Sequence, residues 1–350
     1  MSNWLSRLVG RDVKAAATSR LVSLARDRLP GWVPRTLPAQ IQAGYARNAI
    51  ANRCVRLISE AAASLPFSAS DAAAQRLLNR PNADTSGPEL WESVYGYLQL
   101  AGNAYVELAT LDDTPRELFV LRPDRMRVLA DPQGWPAGWE YTVQGRRRRF
   151  ERDRASGRSP VFHMRLFHPG DDQYGLSPLE PAGRALDLHT AGADWARALL
   201  ENAARPSGAL VFSGADGHLT DDQFQRLRDE LTGAHTGAAN AGRPLLLEGG
   251  LDWKPMAMSP AEMDFIQARR EAAREIALAF GVPPLLLGLP GDNTYANYRE
   301  ANLAFWRQTV LPLARKTARA LEVWLAPWFG EALEIAVEED RIPLPAEDLS

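Results

Sequence analysis

Ten residues from His163 to Asp172, HMRLFHPGDD, hold the densest set of chemically useful side chains in the sequence. His163, His168, Asp171 and Asp172 together make a conceivable ligand set for a divalent cation, because neutral imidazole and carboxylate are ordinary metal donors. A metal-dependent hydrolase is the chemistry such a set would serve. The surrounding pattern points elsewhere. His163 falls in an alternating, strand-like run, and both aspartates fall in a Pro-Gly turn, where short polar side chains serve the backbone.

Other chemistries find less support. There is no G-x-x-x-x-G-K-[ST] phosphate loop, no G-x-G-x-x-G after a strand, no H-E-x-x-H and no G-x-S-x-G elbow. Cys54 is the single cysteine, which excludes an internal disulfide framework and fits a reducing compartment. Inside a helical pattern it reads as a small core residue rather than a nucleophile. His189 also falls in a helical pattern, and the five scattered histidines offer no acid–base pair. The stretch FSGADGHLTDD lacks the acidic alternation and the twelfth-position Glu of a calcium loop, while Asp221 and Asp222 suit the first turn of a helix. No catalytic residue, metal or cofactor is expected.

The one dense basic run, GRRRRFERDR (Gly145–Arg154), could touch a phosphate backbone. Balanced by Glu151 and Asp153, it reads more simply as a solvated hairpin tip. Across all 350 residues the net charge is −3, from 40 Lys and Arg against 43 Asp and Glu, so whole-chain charge does not favour an electrostatic grip on nucleic acid. Hydrophobic residues make up 45% and charged residues 24%, and no run of 18 apolar residues occurs, so no membrane span is expected. The first forty residues read as an arm and a Pro-rich linker. Asp12 and Asp27 argue against a transit peptide, and no secretory cleavage pattern is present.

The elements that carry these residues have clear boundaries. Tyr45 to Leu65 is a helical pattern stopped at Pro66. Ser86 with Glu89 forms a capping box for a helix ending near Gly102. From Ala104 to Phe167 short strands alternate with turns. Three long helices follow, introduced by SPLE (Ser177–Glu180), SPAE (Ser259–Glu262) and NYRE (Asn297–Glu300), each with a capping residue and Glu three positions on. In the second, Met263, Ile266, Ala273, Ile276, Ala277 and Phe280 share one side. In the third, Pro312 should kink the helix. Between the first two lies an insertion, Pro206 to Met258, with strands at SGALVF and RPLLLEGG and a short helix capped by Thr220. The second and third helices are joined by GVPPLLLGLPGDNTYANY, which is rich in Pro and Gly and carries one charge, Asp292.

That order of elements, and its wording, resembles the HK97-type portal proteins of tailed phages. The stretches that carry the resemblance include LLNRPN, GNAYVEL, YGLSPLEPA, NAARPSGAL, NAGRPLLLEGGLDW, EMDFIQARREAAREIALAFGVPPLLLG and NTYANYREANLAFWRQTVLPL, in family order from about Asn52 to Leu325. The resemblance implies an α+β portal fold. Its parts would be an arm and linker (1–40), a wing (41–176), stem helices (177–205 and 259–281) and a small α/β clip (206–258). A tunnel loop (282–297), a kinked wing helix (298–325) and a tail with little or no crown (326–350) would complete it. The tail ends in a Pro-broken, acidic stretch that suits no helical barrel.

Function is implied likewise: a homo-oligomeric ring of twelve at one capsid vertex, in the virion, assembled in the bacterial cytoplasm. Double-stranded DNA would pass its channel without sequence preference during packaging and ejection. The terminase large subunit, a head–tail adaptor and the major capsid protein would be partners; no membrane is involved. The tunnel loop would present Leu289, Pro290, Gly291, Asp292, Asn293 and Thr294 to DNA. The clip would offer Ser213, Asp216, His218, Asp222, Gln225, Arg228 and Asp229 for docking. Arg269, Arg270, Glu271, Arg274 and Glu275 would meet neighbouring subunits along the stem. The competing expectation is a phage-head hydrolase built on His163, His168, Asp171 and Asp172.

Overall fold

The computed structural model describes residues 36–201, 208–212, 222–223, 225–226, 229, 251–255, 265–289 and 295–342. In chain order its helices are α1 (Leu37–Gln40), α2 (Ala49–Ala63), α3 (Ala72–Asn79), α4 (Gly87–Ala101), α5 (Gly183–Glu201), α6 (Phe265–Ala279), α7 (Tyr295–Phe305) and α8 (Leu311–Phe329). The strands are β1 (Phe67–Ala69), β2 (Asn103–Leu111), β3 (Thr114–Leu121), β4 (Met126–Ala130), β5 (Pro136–Val143), β6 (Arg146–Glu151), β7 (Val161–Arg165), β8 (Gly208–Phe212), β9 (Leu251–Pro255) and β10 (Ile335–Val337). All pairings are antiparallel: β3-β2-β7, β4-β5-β6, β1-β10 and β8-β9.

Local chemistry accounts for most boundaries. The Asn48 carboxamide oxygen accepts from the Ile50 and Ala51 amides, both at 3.1 Å, and starts α2. Residues 41–46 form a π-helical turn before it, so the continuous helix expected from Tyr45 is broken at this cap. At α4 the Ser86 amide and hydroxyl both donate to the Glu89 carboxylate, at 2.8 and 2.7 Å. The helix ends at Gly102, whose φ of 68° lies in the left-handed region. Asp112 and Asp113, at φ 49° and 57°, make the two-residue β2–β3 turn, and Gln144 and Gly145, at 48° and 78°, make the β5–β6 turn. Positive φ at both central residues is the turn twist that matches the strands.

A main core joins the apolar face of α2 (Cys54, Val55, Ile58), α4 (Leu90, Val94, Leu98), β2 (Ala104, Val106) and α8 (Leu311, Leu321, Leu325). Burial pushes the Cys54 thiol up to about 12, so the lone cysteine is an inert core residue. A smaller core, with Tyr105, Met126, Val128, Trp139 and Phe150, lies between the two three-stranded sheets.

Several expectations are corrected. The first long helix starts at Gly183, not at Ser177. The Ser177 hydroxyl accepts from the Leu179 amide at 3.1 Å and donates to the Gln99 carbonyl at 2.8 Å, but Pro181 has no N–H to continue a helix from Ser177, so residues 178–182 form turns. Asn297 is not a cap, since α7 is already helical at Tyr295. At Pro312 the helix departs from regular α geometry: a π turn, Trp306–Val310, lies just before it and leaves the proline in the first turn of α8. A regular α-helix would press the ring on the residue 308 carbonyl, and the wider turn avoids that clash. The strand paired with β8 is LDWKP, directly after RPLLLEGG. RPLLLEGG and the SPAE cap lie outside the described residues. Finally, the arginine run is not a hairpin tip. The tip is Gln144–Gly145, and Arg146–Arg149 are strand β6, where they face Glu140 and Glu107 rather than Glu151 and Asp153.

Candidate functional site

Helices α5 and α6 lie side by side, and α6 also packs on α2. From Ala272 onward one side of α6 is buried, through Ala272, Ala273, Ile276, Ala277 and Phe280. Before that, between Ile266 and Glu271, only Ala268 is half-buried. The expected core position of Ile266 is therefore corrected: its side chain is 71% exposed, and Leu278, further along, is 79% exposed. Arg269, Arg270, Glu271 and Glu275 are exposed and Arg274 is half-buried. Gln267 donates to the Glu271 carboxylate at 2.9 Å. On α5, Leu188 is 46% exposed, and His189 sits 3.3 Å from the Asn48 carboxamide that caps α2. Burial, and then the Arg269 charge, hold the His189 pKa below its usual range, so the imidazole is neutral at the junction.

The segment after α6 has a rigid base. The Val282 amide donates to the Ala277 carbonyl and the Gly281 amide to the Leu278 carbonyl, both at 2.9 Å. These two bonds, with Gly281 at φ 68°, are a Schellman ending. Phe280 and Val282 on either side are buried and pin the exit. Pro284–Leu287 adds a 3-10 turn closed by Gly288 at φ 70°. The Thr309 hydroxyl, in the π turn beyond α7, donates to the Gly281 carbonyl at 2.6 Å. The start of the loop is thus latched to the π turn beyond α7. Leu289 is half-buried; Pro290, Gly291, Asp292, Asn293 and Thr294 lie outside the described residues. A Gly after the last periodic residue was the available signal for the cap, but nothing in the sequence pointed to Thr309.

In the insertion, β8 and β9 pair from Gly208↔Pro255 to Phe212↔Leu251. Asp222, Gln225 and Asp229 are helical and exposed. Ser213, Asp216, His218 and Arg228 lie outside the described residues.

The histidines and aspartates of HMRLFHPGDD line one groove of about 760 Å³, rimmed by exposed Trp135 and Phe167. Several of their donor atoms are nevertheless taken. His163 Nε2 lies 3.1 Å from Asn103 Oδ1, and the Trp139 indole N–H donates to Nδ1 at 3.5 Å. The ring stacks on Tyr105 at 4.3 Å between centroids. Burial, with a smaller push from Arg165, lowers its pKa to about 3. His168 Nδ1 accepts from the Gly170 amide at 3.0 Å, and Asp171 accepts from the Gln173 and Tyr174 amides at 2.7 and 2.9 Å. Among the described residues no group of three or more His, Cys, Asp or Glu is arranged to hold a metal ion. The geometry gives His163, His168 Nδ1 and Asp171 partners within the fold.

The same part of the fold joins two of the quoted sequence stretches. Gly102 and Gly175 approach so closely that a Cβ on Gly102 would stand 2.3 Å from the Gly175 carbonyl oxygen. A Cβ on Gly175 would stand 2.1 Å from the Gly102 carbonyl oxygen. Asn103 Oδ1 accepts from the Gly175 amide at 2.9 Å. GNAYVEL and YGLSPLEPA meet here, backbone on backbone.

The profile of the phage portal protein family matches residues 49–347. A chain from the neck of a native gene transfer agent particle, computed with C12 symmetry, is 48% identical with a TM-score of 0.69, over 93% of this chain and 91% of that one. An uncharacterized protein of Rickettsia bellii (strain RML369-C) is 40% identical over 307 residues, 85% of this chain and 79% of the relative. The probable portal protein of Streptomyces phage phiC31 is 28% identical over 290 residues, 74% of this chain and 59% of the relative.

Proposed function

The chain belongs to the phage portal protein family, and we propose that twelve copies close into a ring around an axial channel for double-stranded DNA. Its function is that of a portal protein; the ring size, the division into parts and the partners are the reading developed here. The C12 symmetry of the gene transfer agent neck, from a relative 48% identical, supports twelve copies. Large exposed apolar side chains on the paired helices, Leu188, Ile266 and Leu278, support contacts between neighbours. A head-to-tail contact that closes on rotation buries such residues against a different surface of the next copy.

In this reading the wing spans 41–176 with 298–325, the stem 177–205 with 259–281, and the clip 206–258. Arg269, Arg270, Glu271, Arg274 and Glu275 mix both signs along α6 and make wet contacts with the next stem. Asp222, Gln225 and Asp229, with Ser213, Asp216, His218 and Arg228, form the clip surface where the terminase large subunit and then a head–tail adaptor dock. The wing meets the major capsid protein at one vertex of the shell. The ring is assembled in the bacterial cytoplasm and ends in the virion. The role is mechanical, a conduit and a platform.

The observation that carries DNA passage is the loop. From Gly281 to Tyr298 it holds no Lys, Arg or His and one charge, Asp292. Its described base is fixed by the Schellman ending and the Thr309 latch. Each cation that pairs with a phosphate adds affinity that must be broken for DNA to move. A ring of loops without cations, on rigid bases, surrounds DNA and lets it slide. Asp292→Lys tests this through packaging rates in particles. The substitution slows packaging most at low salt and less as salt rises, and a rate equal to the parent's at low salt overturns the reading.

A further inference from the structure

The arginine run on β6 has no task in the channel account. Residues 122–154, which hold the β4-β5-β6 sheet, carry nine arginines against five carboxylates and no lysine or histidine, in a chain whose net charge is −3. Side chains alternate across a strand, so the four arginines divide between two faces. The inner face carries Met126, Val128, Trp139 and Phe150 into the smaller core. Arg148 belongs to that side and is committed: it pairs with Glu107 at 2.6 Å and its guanidinium lies 4.6 Å from the Phe150 ring centroid.

The outer face differs. Arg127, Glu140 and Arg149 are direct cross-strand partners in one row, and Arg147 is two residues from Arg149 on the same face. Glu140 is the carboxylate beneath them, its side chain 7% exposed, with Arg149 at 3.2 Å and Arg147 at 3.9 Å. Those two arginine side chains remain 66% and 68% exposed. Arg127 is exposed and makes no ion pair among the described residues. Glu151 is the other acidic side chain of this face, one row away. One buried carboxylate needs one guanidinium for neutrality. The others stand as a fixed row of planar forks, directed outward by the sheet, on a spacing of about 7 Å along β6. Arginine in that arrangement matches phosphate oxygens in pairs, which a lysine ammonium does not.

We propose that the outer face of the β4-β5-β6 sheet, through Arg127, Arg147 and Arg149 around Glu140, binds the phosphate backbone of double-stranded DNA as a second contact away from the axial channel. Glu140 orders two of the guanidinium groups and lowers the surface charge enough to keep the grip reversible. Sequence preference is absent, because every partner is a backbone phosphate. The proposal takes from the portal reading only that DNA is the polyanion at hand.

A covalently closed circular duplex separates this surface from the channel, because a closed circle cannot thread a closed ring. Binding of the circle to the full-length protein is measured by fluorescence anisotropy between about 50 and 200 mM salt. Three phosphate contacts contribute about 2.7 to the slope of log K against log salt, so R127Q/R147Q/R149Q loses that much slope. The parent's affinity then falls roughly 40-fold more than the variant's over that salt range. Glu140→Gln removes the negative charge and tightens binding at low salt, a gain that a misfolded protein cannot produce. An unchanged slope and affinity in the triple variant overturns the proposal. So does binding of polyglutamate without binding of the circle, which assigns the face to an acidic protein. Electron micrographs of the same samples record ring formation separately, so loss of rings and loss of this surface are distinguishable.

Discussion

The wing and the stem solve opposite problems with the same kinds of residue. In the region read as wing, many buried polar groups find partners within one chain. Asn48 caps α2, Asn82 donates to the Leu118 carbonyl at 2.8 Å, and Asn103 bonds the Gly175 amide at 2.9 Å while His163 leans on it. The Trp324 indole donates to the Ser159 carbonyl at 2.8 Å. In the stem, α6 buries one side only from Ala272 onward and leaves Ile266 and Leu278 in solvent. In the proposed reading, other copies of the chain cover the exposed stem residues, while the hydrogen bonds of the wing are made within the protomer. Substitutions should therefore separate cleanly: wing changes act on protomer stability, and stem changes act on assembly.

The largest effect is expected where wing backbones touch. Gly102→Ala places a Cβ 2.3 Å from the Gly175 carbonyl oxygen at a φ of 68°, and neither backbone can withdraw without breaking β2 pairing. Denaturant melts of the protomer should show a loss of at least about 4 kcal/mol. A loss under about 1 kcal/mol would mean that the two loops are less tightly joined than the wing account requires.

Acid should weaken the same junction by a comparable amount. The His163 imidazole ordinarily titrates near 6.5, and burial holds it down to about 3 in the fold. Because the folded value is depressed, this stability is complete above about pH 6.5 and is lost as pH falls from there toward 3. About 3 kcal/mol should disappear between pH 7 and pH 4, and His163→Gln should flatten that part of the profile. A profile identical to the parent's would show that another group governs the acid limb.

Thr309→Val should cost about 1 kcal/mol, the value of one hydrogen bond left unmade at the Gly281 carbonyl. Faster hydrogen exchange at the Val282 amide is the matching local readout. Leu278→Asp is the smallest change for the protomer, within about 0.5 kcal/mol, because the residue is exposed there. In sedimentation the same variant should lose rings. Retained rings would sharpen the comparison by moving the stem contact elsewhere on α6.

How much of this the sequence disclosed depended on how local the cause was. The Ser86–Glu89 box and the Gly102 ending act over three or four residues, and both stand as read. Ser177 carries the same capping signature, and its hydroxyl accepts from the Leu179 amide at 3.1 Å as it donates to Gln99, 78 positions away, yet Pro181 cannot continue the ladder and the helix waits until Gly183. Pro312 signals a break, and the helix yields in the π turn just before it, Trp306–Val310. The four arginines read as a solvated tip because their carboxylates, Glu140 and Glu107, are supplied by other strands. HMRLFHPGDD offered metal-like composition, but only the tertiary partners Asn103 and Trp139 show that its first imidazole is taken. The stem, clip and loop reading rests on family wording, and long-range contacts explain two of its stretches at the Gly102–Gly175 crossing.

The central claim is that copies of this chain close into a ring around duplex DNA. Electron microscopy of the purified protein, with and without its shell, tests it most directly. The account predicts twelvefold end-on views with an axial opening wide enough for a double helix and the 282–297 loop at its narrowest point. A shell whose vertices carry no ring, together with protein that remains monomeric beside it, would contradict the account.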